Sequence, residues 1–161
     1  MDKEMLLRRA LRSDIEILCE LNVHVQSLHH EQMPWLFKPA SRGQSVREFF
    51  EKLFDAPPNN FFLAQQSDGP AGYVFFEVIH NPETALTHAV SSIFVHHLSV
   101  KPSHRKSGVC RALMGAVNRA AADLGIDIVQ LSFWIFNDEA RHFYERLGFQ
   151  PQTEKWWKRR L

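Results

Sequence analysis

The sequence predicts a mixed α/β domain with helices packed on a central sheet. Two observations carry this: the apolar period switches repeatedly between helical and strand values, and the resulting order is β-α-α-β-β-β-α-β-α-β. At 161 residues the length is that of one domain with its own core, so residues 1–161 are expected to form a single domain. Apolar residues make up 45% and charged residues 23%, which excludes a disordered tail or a fibrous repeat. Lys and Arg number 19 against 18 Asp and Glu, too even a balance for a chain built around broad attraction to nucleic acid or an anionic membrane.

The elements follow in order. Residues 6–10 read as a short strand. Ser13 and Glu16 have capping-box spacing, and Ile15, Leu18, Cys19, Leu21, Val25 and Leu28 recur at helical spacing until the segment before Pro34. Pro34 and Pro39 bracket a loop, and a second helix over about 46–54 stops before Pro57-Pro58. Residues 61–64 and 72–79, joined by a turn at 67–70, read as an antiparallel hairpin, followed by a third β-rich run over 93–100. A basic loop then enters a helix from about 108 to 124, with an apolar stripe at Val109, Leu113, Ala116, Val117, Ala120 and Leu124 and a stop at Gly125. Residues 126–136 read as a strand. Asn137 is a good N-cap for a helix with Asp138 and Glu139 in its first turn, ended by Gly148. From Phe149 onward one or two last strands are expected, with Trp156, Trp157 and the stems of Lys and Arg covering the sheet.

Chemistry concentrates where the third β-rich run passes through His104-Arg105-Lys106-Ser107-Gly108-Val109-Cys110 into a helix. Such a loop aims several backbone N–H groups at one spot, and the helix N-terminus adds partial positive charge, so phosphate fits there; a basic solvated turn is the plain alternative. Neither a Walker loop nor a dinucleotide-binding glycine pattern is present. Cys19 and Cys110 lie far apart in a chain that needs no cross-link, and no apolar run reads as a secretory signal or a membrane span. A soluble, reduced, cytoplasmic protein is therefore expected. His29 and His30 are adjacent with no third ligand at suitable spacing, so no metal is expected.

The sequence resembles the GCN5-related N-acetyltransferase (GNAT) superfamily, whose pyrophosphate loop reads Arg/Gln-x-x-Gly-x-Gly/Ala after a strand ending in Val-x-Pro. Here Leu98-Ser99-Val100-Lys101-Pro102 precedes Arg105-Lys106-Ser107-Gly108-Val109-Cys110, and the run from Asn137 to Phe149 matches a second signature, an Asn, an Ala and then Tyr-x-x-x-Gly-Phe. Lys106 stands where the family often has glycine, and Cys110 replaces the usual final Gly or Ala. The resemblance implies an acyl-CoA N-acyltransferase fold, a mostly antiparallel sheet with splayed central strands flanked by helices. It also implies an acetyltransferase with acetyl-CoA as cosubstrate and a small-molecule or peptide amine as acceptor, without nucleic acid or membrane partners. Homodimers are common among look-alikes.

On that resemblance, Arg105, Lys106, Ser107, Gly108, Val109 and Cys110 cradle the pyrophosphate; Leu98, Ser99 and Val100 pair with the pantetheine arm; Asn137 contacts it; and Tyr144 protonates the departing thiolate. Periodicity alone would make Tyr144 a core aromatic, on one face with Ala140, Phe143 and Leu147, and Asn137 a helix cap. Only a neutral amine is nucleophilic, so a proton acceptor is needed. His96 and His97 stand on the strand before the loop, where alternation sends them to opposite faces unless a bulge intervenes. Aligned through Val100, His96 falls where diamine acetyltransferases of the superfamily carry a glutamate acting through water. That makes His96 the first candidate and His97 the second, against the plain reading of two strand histidines with no chemical role. The loop after the first helix supplies His29, His30, Glu31, Trp35 and Phe37 as acceptor-site candidates. Two other classes stand beside the enzyme: a non-catalytic acyl-CoA-binding sensor or interaction module of the same fold, and a nucleic-acid binder using the basic run 155–160.

Overall fold

The computed structural model describes residues 5–56 and 60–160; Pro57-Pro58, where the second helix was expected to stop, lies outside them. Two compact units result, Met1–Leu131 and Ser132–Leu161. The first holds β1 (Leu6–Arg9), α1 (Ile15–Gln32), α2 (Gln44–Asp55), β2 (Phe61–Gln66), β3 (Gly69–Asn81), β4 (Val90–Val100), α3 (Val109–Asp123) and β5 (Val129–Leu131). The second holds α4 (Asp138–Arg146).

The sheet runs β1-β2-β3-β4-β5, antiparallel throughout except for the parallel pair β4–β5. One face meets α1 and α2: Ile15, Leu18, Cys19, Leu21 and Phe50 are buried with Phe61, Leu63 and Tyr73. Helix α3 packs on the other face, its buried residues being Val109, Leu113, Met114, Ala116, Val117, Ala120 and Ala121. Leu124, expected in that stripe, is 58% exposed because it is already the C-cap, past the last helical turn. Gly125, at φ +66°, closes α3: its N–H bonds the Ala122 carbonyl while Ile126 N–H bonds that of Ala121.

Three further expectations are corrected. The entry to α1 is organised by Asp14, not Ser13. Its buried carboxylate accepts from Leu11 N–H (2.7 Å) and from both terminal nitrogens of Arg8 (2.6 and 2.9 Å), and the Arg8 hydrogen bond holds its pKa below the usual carboxylate range. A charged acceptor binds those donors more strongly than a serine hydroxyl could. The strand expected over 126–136 is the three-residue β5, because only Val129–Leu131 finds a partner, Ile93–Val95 of β4; the chain then turns, Asn137 N–H bonding the Trp134 carbonyl at 2.8 Å. Residues 150–160 form no strand, and Trp156 and Trp157 are exposed rather than covering a sheet. Propensity provides suitable side chains, but a strand exists only with a hydrogen-bonded neighbour.

Candidate active site

Strand β4 departs from simple alternation where it matters. The pairing runs Val95↔Phe76 and then His97↔Phe75, so His96 is an extra residue in a β-bulge. Both imidazoles therefore gather around Phe75, His96 stacked on its ring at 5.4 Å and His97 edge-on at 5.7 Å. This inserted residue is the bulge that breaks simple alternation between the two side chains. His96 is exposed and its Nε2 lies 3.0 Å from Glu77 Oε2. His97 is half-buried among aromatic rings, with Phe49 stacked at 6.0 Å and Phe50 and Tyr73 edge-on at 6.2 Å. Its Nδ1 lies 3.3 Å from the Tyr73 hydroxyl, which donates to Asn22 Oδ1 at 3.1 Å.

Burial, followed by the nearby charges of His96 and His29, pushes the His97 pKa down to about 4. Between pH about 4 and the ordinary 6.5 the unfolded chain binds a proton that the native state does not, so stability rises with pH through this window and is lost on acidification. At about 1.4 kcal/mol per pKa unit the full effect is about 3–4 kcal/mol. The Tm difference between pH ~7 and ~4.5 is expected to shrink clearly in His97→Gln relative to wild type. An equal difference in both proteins would show that His97 is not held neutral.

Past the bulge, β4 keeps β3 on one side, while its pairing with β5 stops at Val95. Leu98, Ser99 and Val100 thus form a stretch with one edge outside the β4–β5 ladder, because β5 ends at Leu131. Ser99 is buried and donates to the Leu21 carbonyl (2.7 Å), tying the strand to α1. Gly72 permits close approach from β3: a Cβ there would lie 2.7 Å from the Ser99 carbonyl oxygen.

The chain leaves β4 through a short 3-10 turn, Pro102–His104. Buried His104 pins this turn, with Nε2 2.9 Å from Asp68 Oδ1 and Nδ1 2.8 Å from Ser103 Oγ; Ser107 Oγ in turn donates to the His104 carbonyl at 2.6 Å. Two left-handed residues follow, Lys106 at φ +61° and Gly108 at φ +89°, and Gly108 is the N-cap of α3, which no side chain caps. The first N–H groups of a helix lack intrahelical acceptors, so this N-terminus can take an anion. Arg105, Lys106, Ser107 and Gly108 are exposed and Cys110 is half-buried. Arg105 and Lys101 also act on His24 of α1, where burial first and these cations next push the pKa down.

Lys106 thus keeps the conformation that suits glycine while carrying a side chain. A left-handed non-glycine residue costs roughly 1–2 kcal/mol, partly offset by the greater unfolded-state freedom of glycine. Lys106→Gly is therefore expected to raise Tm by roughly 2–4 °C, read by calorimetry. A fall in Tm would mean that the lysine side chain stabilises the loop by more than the strain costs.

The loop after α1 is folded back on its helix. His30 Nδ1 lies 2.8 Å from the Phe37 carbonyl oxygen, His29 packs on the Phe37 ring at 4.7 Å, and burial lowers the His29 pKa. Glu31 and Trp35 are exposed. In the second unit Asn137 caps α4, its side chain accepting from Ala140 N–H at 3.1 Å. Tyr144 is buried against Phe133, Phe143 and Phe149.

The structure gathers His96, His97 and His29 on the face covered by α1 and α2, and carries Leu98–Val100 directly into the loop ending at Cys110. Asn137 and Tyr144 belong to the other unit. Tyr73, Asn22, Phe49 and Glu77, which surround the two β4 histidines, were not among the candidates read from the sequence. Pairing of 72–79 against 93–100 with a one-residue bulge would have brought Tyr73 beside His97, but no local signal marks that bulge. Among the described residues no helix is long and apolar enough to cross a membrane.

A mixed sheet whose strand β4 runs on past its ladder with β5 and leads through a left-handed loop into the N-terminus of α3 is an architecture shared with solved proteins. The BH1408 protein from Bacillus halodurans matches with a TM-score of 0.85 at 18% identity, covering 97% of this chain and 99% of that one. The aminoglycoside N-acetyltransferase AAC(6')-Iy in complex with CoA matches with a TM-score of 0.76 at 17% identity, covering 99% and 97%. In sequence, an uncharacterised N-acetyltransferase of Methanocaldococcus jannaschii is 30% identical over 117 residues, 71% of this chain; the match spans 50% of that relative's length. The acetyltransferase (GNAT) family model matches residues 23–149, and the chain belongs to that family.

Proposed function

We propose that this chain, acting as one N-acetyltransferase domain, transfers the acetyl group of acetyl-CoA to a primary amine of a small molecule or peptide by direct attack in a ternary complex. The observation that carries this reading is the continuity of β4: a bulge presenting two histidines, then an edge outside the β4–β5 ladder, then the left-handed loop and uncapped start of α3. In this reading Leu98–Val100 pair with the pantetheine, the backbone from Arg105 to Cys110 holds the pyrophosphate, and a β4 histidine receives the amine proton. Tyr144 gives a proton to the departing thiolate, and His29, His30, Glu31, Trp35 and Phe37 shape the acceptor site. AAC(6')-Iy has also been solved with the bisubstrate analogue CoA-S-monomethyl-acetylneamine, TM-score 0.72 to this chain, which supports an acyl-CoA donor and a small amine acceptor.

The test is release of thiol from acetyl-CoA across a panel of polyamines, amino acids, aminoglycosides and peptide N-termini. Turnover with any amine supports the enzyme. Thermal stabilisation by CoA without turnover across the panel would make the chain a binding module instead.

A further inference from the structure

We propose that Tyr73 and Asn22 are positioning residues that lock His97 in the tautomer protonated at Nδ1, so that Nε2 offers its lone pair to the acceptor amine. The inference rests on the acetyltransferase reading above and names the atom that takes the amine proton.

Counting protons fixes the tautomer. A phenol has a single O–H, and Asn22 Oδ1, 3.1 Å from the Tyr73 oxygen, can only accept. With the Asn22 amide oriented as here, Oδ1 and not Nδ2 toward the phenol, that proton is committed to Asn22. The 3.3 Å contact between the Tyr73 oxygen and His97 Nδ1 then requires Nδ1–H as donor. A neutral imidazole carries one N–H, so Nε2 is bare. Among the described residues Nε2 has no hydrogen-bond partner, and the fully buried unpartnered side-chain polar atoms are Gln66 Oε1 and Ser92 Oγ, so Nε2 keeps contact with solvent.

The surroundings hold this state. Tyr73 is fully buried and burial raises its own pKa, so it stays a phenol. The titratable groups acting on the ring are His96 beside it on β4 and His29 on α1, both of which oppose a second positive charge; Phe49, Phe50 and Phe75 complete the wall.

A base this weak does not strip a proton from an ammonium ion in solution. It accepts a hydrogen bond from a neutral amine and takes the proton once attack has made the nitrogen positive and far more acidic. The nitrogen lone pair forms the C–N bond and the carbonyl π pair moves to oxygen; the N–H proton passes to Nε2. The oxygen pair then returns as the C–S bond breaks, and the thiolate leaves as thiol with one proton, so amine and thioester become amide and thiol. His97 returns its proton to solvent.

Long-range 1H–15N correlation of the histidine rings reads the tautomer directly, with His97 assigned by His97→Gln. The expected result is protonated Nδ1 and unprotonated Nε2 between pH about 5 and 8. Tyr73→Phe keeps the ring but removes the acceptor for Nδ1–H. It is expected to move His97 toward the Nε2–H form and to lower kcat/KM roughly 10- to 100-fold, with CoA-dependent thermal stabilisation unchanged. A wild-type His97 protonated at Nε2, an unaltered tautomer in Tyr73→Phe, or full kcat/KM in His97→Gln overturns the proposal. Absence of transfer to every amine would sink the acetyltransferase reading and the proton-acceptor role with it. The tautomer would still be read from the nitrogen shifts, so the two failures are told apart.

Discussion

Tyr144→Phe is expected to lower kcat by roughly 10²–10⁴ while leaving CoA-dependent thermal stabilisation close to wild type. The substitution removes only the hydroxyl. The ring sits against Phe133, Phe143 and Phe149, contacts that phenylalanine keeps, so a fall in turnover reports the proton and not the packing. A phenol is a weak acid suited to a thiolate leaving group, whose departure without a proton is the costly alternative. Steady-state kinetics on the best amine from the panel decide the matter. If kcat changes by less than about twofold, Tyr144 is a core aromatic, as the helical period alone reads it.

Gly108→Val should abolish stabilisation by CoA. Two effects combine there. At φ +89° a β-branched residue is strained by roughly 1–3 kcal/mol, which tilts the start of α3 and lowers the Tm of the unliganded protein. The same change disturbs the N–H groups that would face the pyrophosphate. Gly108→Asn separates the two, since Asn tolerates the left-handed region and preserves the loop path. Thermal shift with and without CoA is the measurement: an undiminished shift in Gly108→Val would remove this loop from the cofactor site.

Much of the fold was legible because it is written in local patterns. Apolar residues at helical spacing marked α1 and α3, and Gly125 and Gly148 marked where α3 and α4 end. Asn137 was readable as a cap because a side-chain amide reaches an N–H three residues on without help from the rest of the chain. The loop from Arg105 to Cys110 was readable for the same reason: the left-handed turn and the helix start are both short-range features. The apolar run after Leu131 and the segment 150–160 have strand composition but no ladder, because no partner strand elsewhere in the chain meets them. Ser13 lost the entry to α1 to Asp14 because Arg8, six residues earlier, is there to meet a carboxylate.

The residues of the chain, taken alone, determined its element order up to α4, its mixed α/β class and the position of the left-handed loop before α3, since each follows from periodicity, caps and turn chemistry within a few residues. Only the tertiary structure decided the environment of the two β4 histidines. Whether they face apart or together depends on one inserted residue in the β3–β4 register, and register is set by packing of the whole sheet against α1, α2 and α3, not by the local sequence. That shift places His97 beside a phenol 24 positions away and within an aromatic wall from α2. Desolvation and hydrogen bonding, which fix its charge and tautomer, are long-range properties of the folded chain.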